Sequence, residues 1–278
     1  MLARCGRNFL ELEAAGLSTP SESFFLTVRG CKLEVERLAG AKAGKPEMVF
    51  LHEGLGSISA WREFPEQVVA RTGCSGIVYS RCGYGNSETL GAERQVQYLH
   101  QEALQALPEL LDKTGVKNPI LLGHSDGASI AIIYAGAHDA GSGRAKAIIL
   151  LAPHVFVEEV GLEGIAATKV LFETTDFAEK LSRHHRDAAA TFWGWNRIWL
   201  KPEFRSWNIE EYLPRITCPV LAIQGVNDQY GTLAQLEAIE RGVKGRFERV
   251  ELENCRHSPH RDQPERTVEA IGKFVEET

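Results

Sequence analysis

Short continuous apolar runs alternate along this chain with longer stretches of helical spacing. Residues 47–51, 76–80, 119–122, 145–151, 218–224 and 247–252 are the apolar runs. Each is too short for a stable helix and is bounded by Gly, Pro or polar residues, the pattern of strands buried on both faces. Helical patterns fill the intervals at 61–72, 94–114, 128–137, 233–241 and 263–275. Within 94–114, Leu99, Ala103, Ala106, Leu107, Leu110 and Leu111 share one face. Ahead of this rhythm, 24–28 and 32–38 alternate around Arg29-Gly30 and predict a hairpin. The alternation predicts an α/β class, with a mostly parallel sheet of about eight strands covered on both faces. Ligands of such sheets bind beyond the carboxyl ends of the strands, so the loops beginning at His52, Ser80, Ser125 and Pro153 should open on one edge.

Between 154 and 213 the strand rhythm stops, and helical patterns occupy 163–174, 177–183 and 188–199. The organisation that follows is a lead-in at 1–23, a core at 24–153 and 214–278, and an inserted helical lid at 154–213. Trp193, Trp195, Trp199 and Trp207, four of the five tryptophans, fall in the insertion together with Phe172, Phe177, Phe192 and Phe204. Aromatic density over a ligand-binding edge suggests an apolar pocket roof. Substrate contacts are expected from Leu55, His154, Trp193, Trp199 and Tyr230.

Composition narrows the function classes. The 278 residues are 44% hydrophobic and 24% charged, with a formal charge of -6, which fits a soluble globular protein with no basic footprint for nucleic acid. No apolar run approaches the roughly 18 residues of a membrane span, and residues 1–8 lack a signal-peptide core, so a cytoplasmic protein is expected. Six cysteines without C-x-x-C spacing suggest reduced thiols and neither a zinc ribbon nor a redox pair. No metal or cofactor is implied. The expected partner is a small molecule with an apolar portion, and the expected state is a monomer or homodimer.

The candidate chemistry centres on Gly123-His124-Ser125-Asp126-Gly127. It stands between an apolar strand and an apolar helix and fits the G-x-S-x-G elbow, in which a sharp turn lifts a nucleophilic serine above the sheet edge. A serine hydroxyl needs a general base, and the base needs an orienting carboxylate. Asp228 and His257 each follow a strand, and the order Ser125, Asp228, His257 suits this architecture. Glu158 or Glu159 could replace the acid, and His260 competes for the base. Asp126 adjoins the nucleophile on a helix start, so its side chain should point away. An oxyanion needs two N–H donors, expected from the amides of Asp126 and Gly54.

Together with His52-Glu53-Gly54-Leu55-Gly56-Ser57 and Arg81-Cys82-Gly83-Tyr84-Gly85-Asn86-Ser87, these features resemble the α/β-hydrolase superfamily, near lid-bearing bacterial carboxylesterase-like enzymes. The resemblance covers residues 24–275. It implies a triad of Ser125, His257 and Asp228, with Gly54 and Asp126 as oxyanion donors. It also implies cleavage of a small or medium ester, thioester or lactone through an acyl-enzyme. Two departures stand out: Glu53 replaces the family's usual glycine after His52, and Arg256 stands where a glycine commonly precedes the histidine. Alternatives are a carbon–carbon bond hydrolase of a dienoate, with Arg183 to Arg186 greeting a carboxylate, a ligand-binding member of the fold, and cofactor-free oxygen or perhydrolase chemistry.

Overall fold

The computed structural model describes residues 21–138 and 144–278. Most of the expected lead-in, residues 1–20, and Cys5 with it, lie outside the described residues. Eight strands form one sheet: β1 (Ser21–Val28), β2 (Cys31–Leu38), β3 (Met48–Leu51), β4 (Gly76–Tyr79), β5 (Ile120–His124), β6 (Ala147–Leu151), β7 (Val220–Gly225) and β8 (Phe247–Leu252). Their spatial order is β1-β2-β4-β3-β5-β6-β7-β8. The strands from β3 onward pair in parallel, whereas β2 runs antiparallel to both β1 and β4. Val28 pairs with Cys31 across a two-residue turn in which Arg29 and Gly30 have φ of 52° and 76°. Positive φ at both central residues matches the turn's twist to that of the strands.

The helices in chain order are α1 (Ile58–Trp61), α2 (Phe64–Thr72), α3 (Tyr98–Gln101), α4 (Leu107–Thr114) and α5 (Asp126–Ala137). The insertion adds α6 (Glu159–Thr174), α7 (Phe177–Ser182) and α8 (Ala188–Trp199), and the chain closes with α9 (Ala234–Gly242), α10 (Pro259–Asp262) and α11 (Pro264–Glu276). The sheet separates two cores. Leu121 enters the core shared with α4, α5 and the insertion, while Ile120 and Leu122 enter the core shared with α2 and α11. Successive side chains of a strand point to opposite faces, so two cores require an uninterrupted apolar string.

Two expected helices are broken. The one at 61–72 is divided at Arg62, whose φ is 56°. The one at 94–114 begins only at Tyr98 and passes through a π-helical segment, Glu102–Ala106, before α4. Pro108, in the first turn of α4, has no N–H to continue the ladder, and the Leu107 amide bonds back to the Glu102 carbonyl five residues away.

The cysteine expectation needs correction, because Cys31 and Cys82 form a disulfide with Cα atoms 6.1 Å apart. Pairing of β2 with β4 brings the start of one strand beside the loop following the other, and a separation of 51 residues carries no local motif. Cys74, Cys218 and Cys255 are free and buried. Among the described residues no helix is long and apolar enough to cross a membrane.

Candidate active site

At the carboxyl end of β5 the backbone turns sharply through Ser125, whose φ of 53° and ψ of -115° are unusual for a residue with a side chain. The two glycines of the motif are obligatory. A Cβ at Gly123 would overlap the Gly127 carbonyl, and one at Gly127 would overlap the Leu51 carbonyl on the neighbouring strand. The Ser125 amide donates to the Leu151 carbonyl at 2.9 Å and ties the turn to β6.

Three loops beyond β5, β7 and β8 bring Ser125, Asp228 and His257 together. Ser125 Oγ lies 2.9 Å from His257 Nε2, and His257 Nδ1 lies 2.8 and 2.9 Å from the two Asp228 oxygens. A carboxylate can only accept, so Nδ1 carries the proton, and Nε2 is left to accept from the serine hydroxyl. Asp228 also accepts from the Tyr230 amide at 2.9 Å and from Gln224 at 3.2 Å. Burial works against its ionisation. The His257 charge, the hydrogen bond to it and the Tyr230 amide outweigh that, and hold the carboxyl below its usual pKa.

His124 and His52 brace loops of the site. His124 Nε2 donates to the His257 carbonyl at 2.8 Å and fixes the loop that carries that residue. His260 does not approach Ser125; it packs between Trp61 and Phe64, with ring centroids 5.0 and 5.2 Å away. Burial, followed by the Arg261 charge, pulls its pKa down to about 3. His154 lies 5.5 Å from the His257 ring, and burial followed by the His257 charge lowers it to about 4. His52 Nδ1 donates to the Glu53 carbonyl at 2.7 Å while its Nε2 accepts from the Arg81 amide at 3.0 Å. Arg81 itself is fully buried and donates to the Glu53 carbonyl at 2.9 Å, so the turn leading to Gly54 is held from below.

Asp126 begins α5 and turns its carboxylate away from the site, accepting from the Tyr98 hydroxyl at 2.7 Å and from Trp199 Nε1 at 3.3 Å. Glu158 and Glu159 are engaged elsewhere, the first with Thr232 and Gln235, the second with Arg205.

Ser125 and His257 open on a cavity of about 540 Å³ between the strand ends and the helical insertion. Of the residues proposed from sequence as substrate contacts, Leu55, His154, Trp199 and Tyr230 line it, and so does Gly54, proposed as an oxyanion donor. Trp193 does not, which corrects its assignment. It faces a second cavity with Arg94 and Arg197, on the opposite side of α8. Trp195 takes its place, with its indole so close over Gly54 that a Cβ there would overlap the ring. Residues two apart on a helix lie about 200° around it, whereas Trp195 and Trp199, four apart, share a face. Within the basic stretch, Arg183 and His184 line the cavity. His185 is instead buried, accepting from the Gly85 amide at 2.9 Å through Nδ1 and donating to the Leu55 carbonyl at 2.9 Å. Among the described residues no group of three or more His, Cys, Asp or Glu is gathered to hold a metal ion.

Comparison with known proteins agrees with this architecture. A membrane phospholipase A described as a bacterial virulence factor superposes with a TM-score of 0.74 at 19% identity, over 92% of this chain and 86% of that one. A thermophilic esterase from Thermogutta terrifontis gives 0.69 at 18%, over 92% and 98%, and an enol-lactonase from Burkholderia xenovorans gives 0.70 at 18%, over 91% and 99%. At such identities the likeness is one of fold. A proline iminopeptidase of Lactobacillus delbrueckii is 30% identical over 98 residues, a match spanning 35% of this chain and about a third (33%) of that enzyme's length. The model of the alpha/beta hydrolase family matches residues 48–270, and the chain belongs to that family.

Proposed function

We propose that the protein is a serine hydrolase that cleaves carboxylic esters, thioesters or lactones through an acyl-enzyme. The observation that carries this reading is the unbroken hydrogen-bond line from Ser125 through His257 to Asp228, with the serine on a turn of positive φ at the cavity floor. A binding-only member of the fold has no requirement for that line.

In the proposed reaction the substrate carbonyl is attacked by Ser125 Oγ as His257 Nε2 takes the hydroxyl proton. Asp228 keeps the imidazole in the required tautomer and stabilises the imidazolium. The tetrahedral oxyanion is met by the amides of Asp126, at the N-terminus of α5, and Gly54. His257 then protonates the departing alkoxide or thiolate, leaving the acyl group on Ser125. In the second half, water gives a proton to His257 and its hydroxide adds to the acyl carbon, releasing the acid and restoring the serine. The helical insertion acts as the lid, with Trp195 and Trp199 excluding bulk water.

The test is hydrolysis of p-nitrophenyl acyl esters of increasing chain length by the wild type, Ser125→Ala and His257→Ala. Turnover by the wild type that disappears in both variants supports the reading, and an inert wild type refutes it.

A further inference from the structure

The cavity mouth has a charge opposite to that of the chain. Its lining includes four cations, Arg62, Lys180, Arg183 and Arg261, against one carboxylate, Glu53. The whole chain has 31 Lys and Arg against 37 Asp and Glu, so an average sample of it would lean acidic. The cations come from separate places: Arg62 between α1 and α2, Lys180 on α7, Arg183 just beyond it, and Arg261 on α10. Their side chains sit at the exposed rim, whereas Ser125 is buried below.

Three of these cations, Arg62, Arg183 and Arg261, line the same cavity as His184. Burial, and after it the charges of Arg261, Arg62 and Arg183, hold His184 below its ordinary pKa. The negative groups nearby offset little. Lys180 and Arg183 pair with Asp176 at 2.9 Å and Glu179 at 3.1 Å, but these are exposed contacts within α7 and neither carboxylate lines the cavity. Glu53 stands 4.0 Å from Arg261, and burial raises its carboxyl pKa above the usual carboxylate value. Its Oε2 is enclosed without a hydrogen-bond partner. The same cavity is also lined by the apolar side chains of Ile165, Phe177, Leu181 and Trp195.

We propose that the substrate is an ester or thioester that also carries a carboxylate, docked among Arg62, Arg183 and Arg261 while its apolar stem lies along the wall and its carbonyl reaches Ser125. This rests on the serine-hydrolase reading and names a substrate class for the same site. Guanidinium groups suit the role, because their planar forks bind carboxylates in two-point fashion and stay charged at every working pH. A cationic mouth also concentrates anions from solution before contact.

Two matched pairs of esters test it: p-nitrophenyl hexanoate with p-nitrophenyl hydrogen adipate, and phenyl hexanoate with the hexanoyl ester of 4-hydroxybenzoate. The carboxylate stands on the acyl side in the first pair and on the leaving group in the second. The wild type should favour the anionic member of at least one pair by about tenfold in kcat/KM, mainly through KM, and added salt should shrink the ratio. The double variant Arg62→Gln/Arg183→Gln should bring that ratio close to unity. Arg205→Gln, at a surface arginine paired with Glu159 outside the cavity, should keep it. Ser125-dependent hydrolysis of the neutral esters with ratios near unity in both pairs would overturn the inference and leave the hydrolase reading standing. A wild type inert on all four would remove the hydrolase reading and the inference with it.

Discussion

On the cavity floor Ser125 holds a strained backbone conformation of positive φ between glycines that admit no side chain, whereas Trp195 in the roof sits in an ordinary helix and is placed by packing. The floor is specified by backbone demands that few residue types meet. The roof is specified by which face of α8 turns inward, a demand that many aromatic or aliphatic residues could meet. On the proposed serine-hydrolase reading, this difference gives the chemical step to the floor and the choice of substrate to the roof and rim.

The sharpest way to break this division is to remove the floor's reacting groups. Ser125→Ala should lower kcat by about 10⁵-fold, and Asp228→Asn, which keeps the shape but not the imidazole's tautomer, by about 10⁴-fold. Steady-state kinetics on any ester turned over by the wild type checks both, and a loss of less than tenfold in either would move the chemistry off these residues.

The floor also depends on the loop joined by Cys31 and Cys82, because Arg81, immediately before the disulfide, supports the turn at Glu53. Reduction should lower unfolding free energy by about 3 kcal/mol. Urea denaturation with and without dithiothreitol measures it.

Next in size is a pH effect. His154 and His260 are buried with pKa values near 4 and 3, against about 6.5 in an unfolded chain. Below about 6.5 the unfolded state therefore binds protons that the folded state refuses, so this contribution to stability, fully present at higher pH, is lost as pH falls toward 4. Between pH 7 and 5 the loss should be about 2 kcal/mol per histidine. His260→Gln should be less sensitive over that interval by the same amount, and equal slopes for variant and wild type would contradict a neutral, buried His260.

The smallest effects separate the two faces of α8. Trp195→Ala should raise KM by about tenfold and shift the preferred acyl length, with kcat changed less. Trp193→Ala should leave kcat/KM within about twofold, since its ring meets Phe172, Phe192 and Arg197 outside the cavity. Equal losses in both variants would erase the distinction between faces.

What could be read from the residues alone follows the same division. The strands were legible because burial on two faces leaves an unbroken apolar string. The elbow was legible because its geometry restricts positions 123 and 127 to glycine. Assigning Trp193 to the pocket fails because aromatic density does not report helical phase; Trp195 and Trp199 lie four apart and face inward together. The late start at Tyr98 and the π-helical segment are hidden by an apolar pattern that runs on regardless, although Pro108 marks the fault. The Cys31–Cys82 bond and the cationic rim join residues distant in sequence, and only the folded chain makes them neighbours.

The most direct test of the serine-hydrolase floor is covalent capture with a p-nitrophenyl alkylphosphonate, which leaves a stable adduct on an activated serine. Peptide mapping by mass spectrometry should place one phosphonyl group on Ser125, with esterase activity lost in proportion to labelling and no labelling in Ser125→Ala. Full activity after labelling, or ester turnover by a protein that takes up no phosphonate at Ser125, would contradict the assignment of Ser125 as the nucleophile.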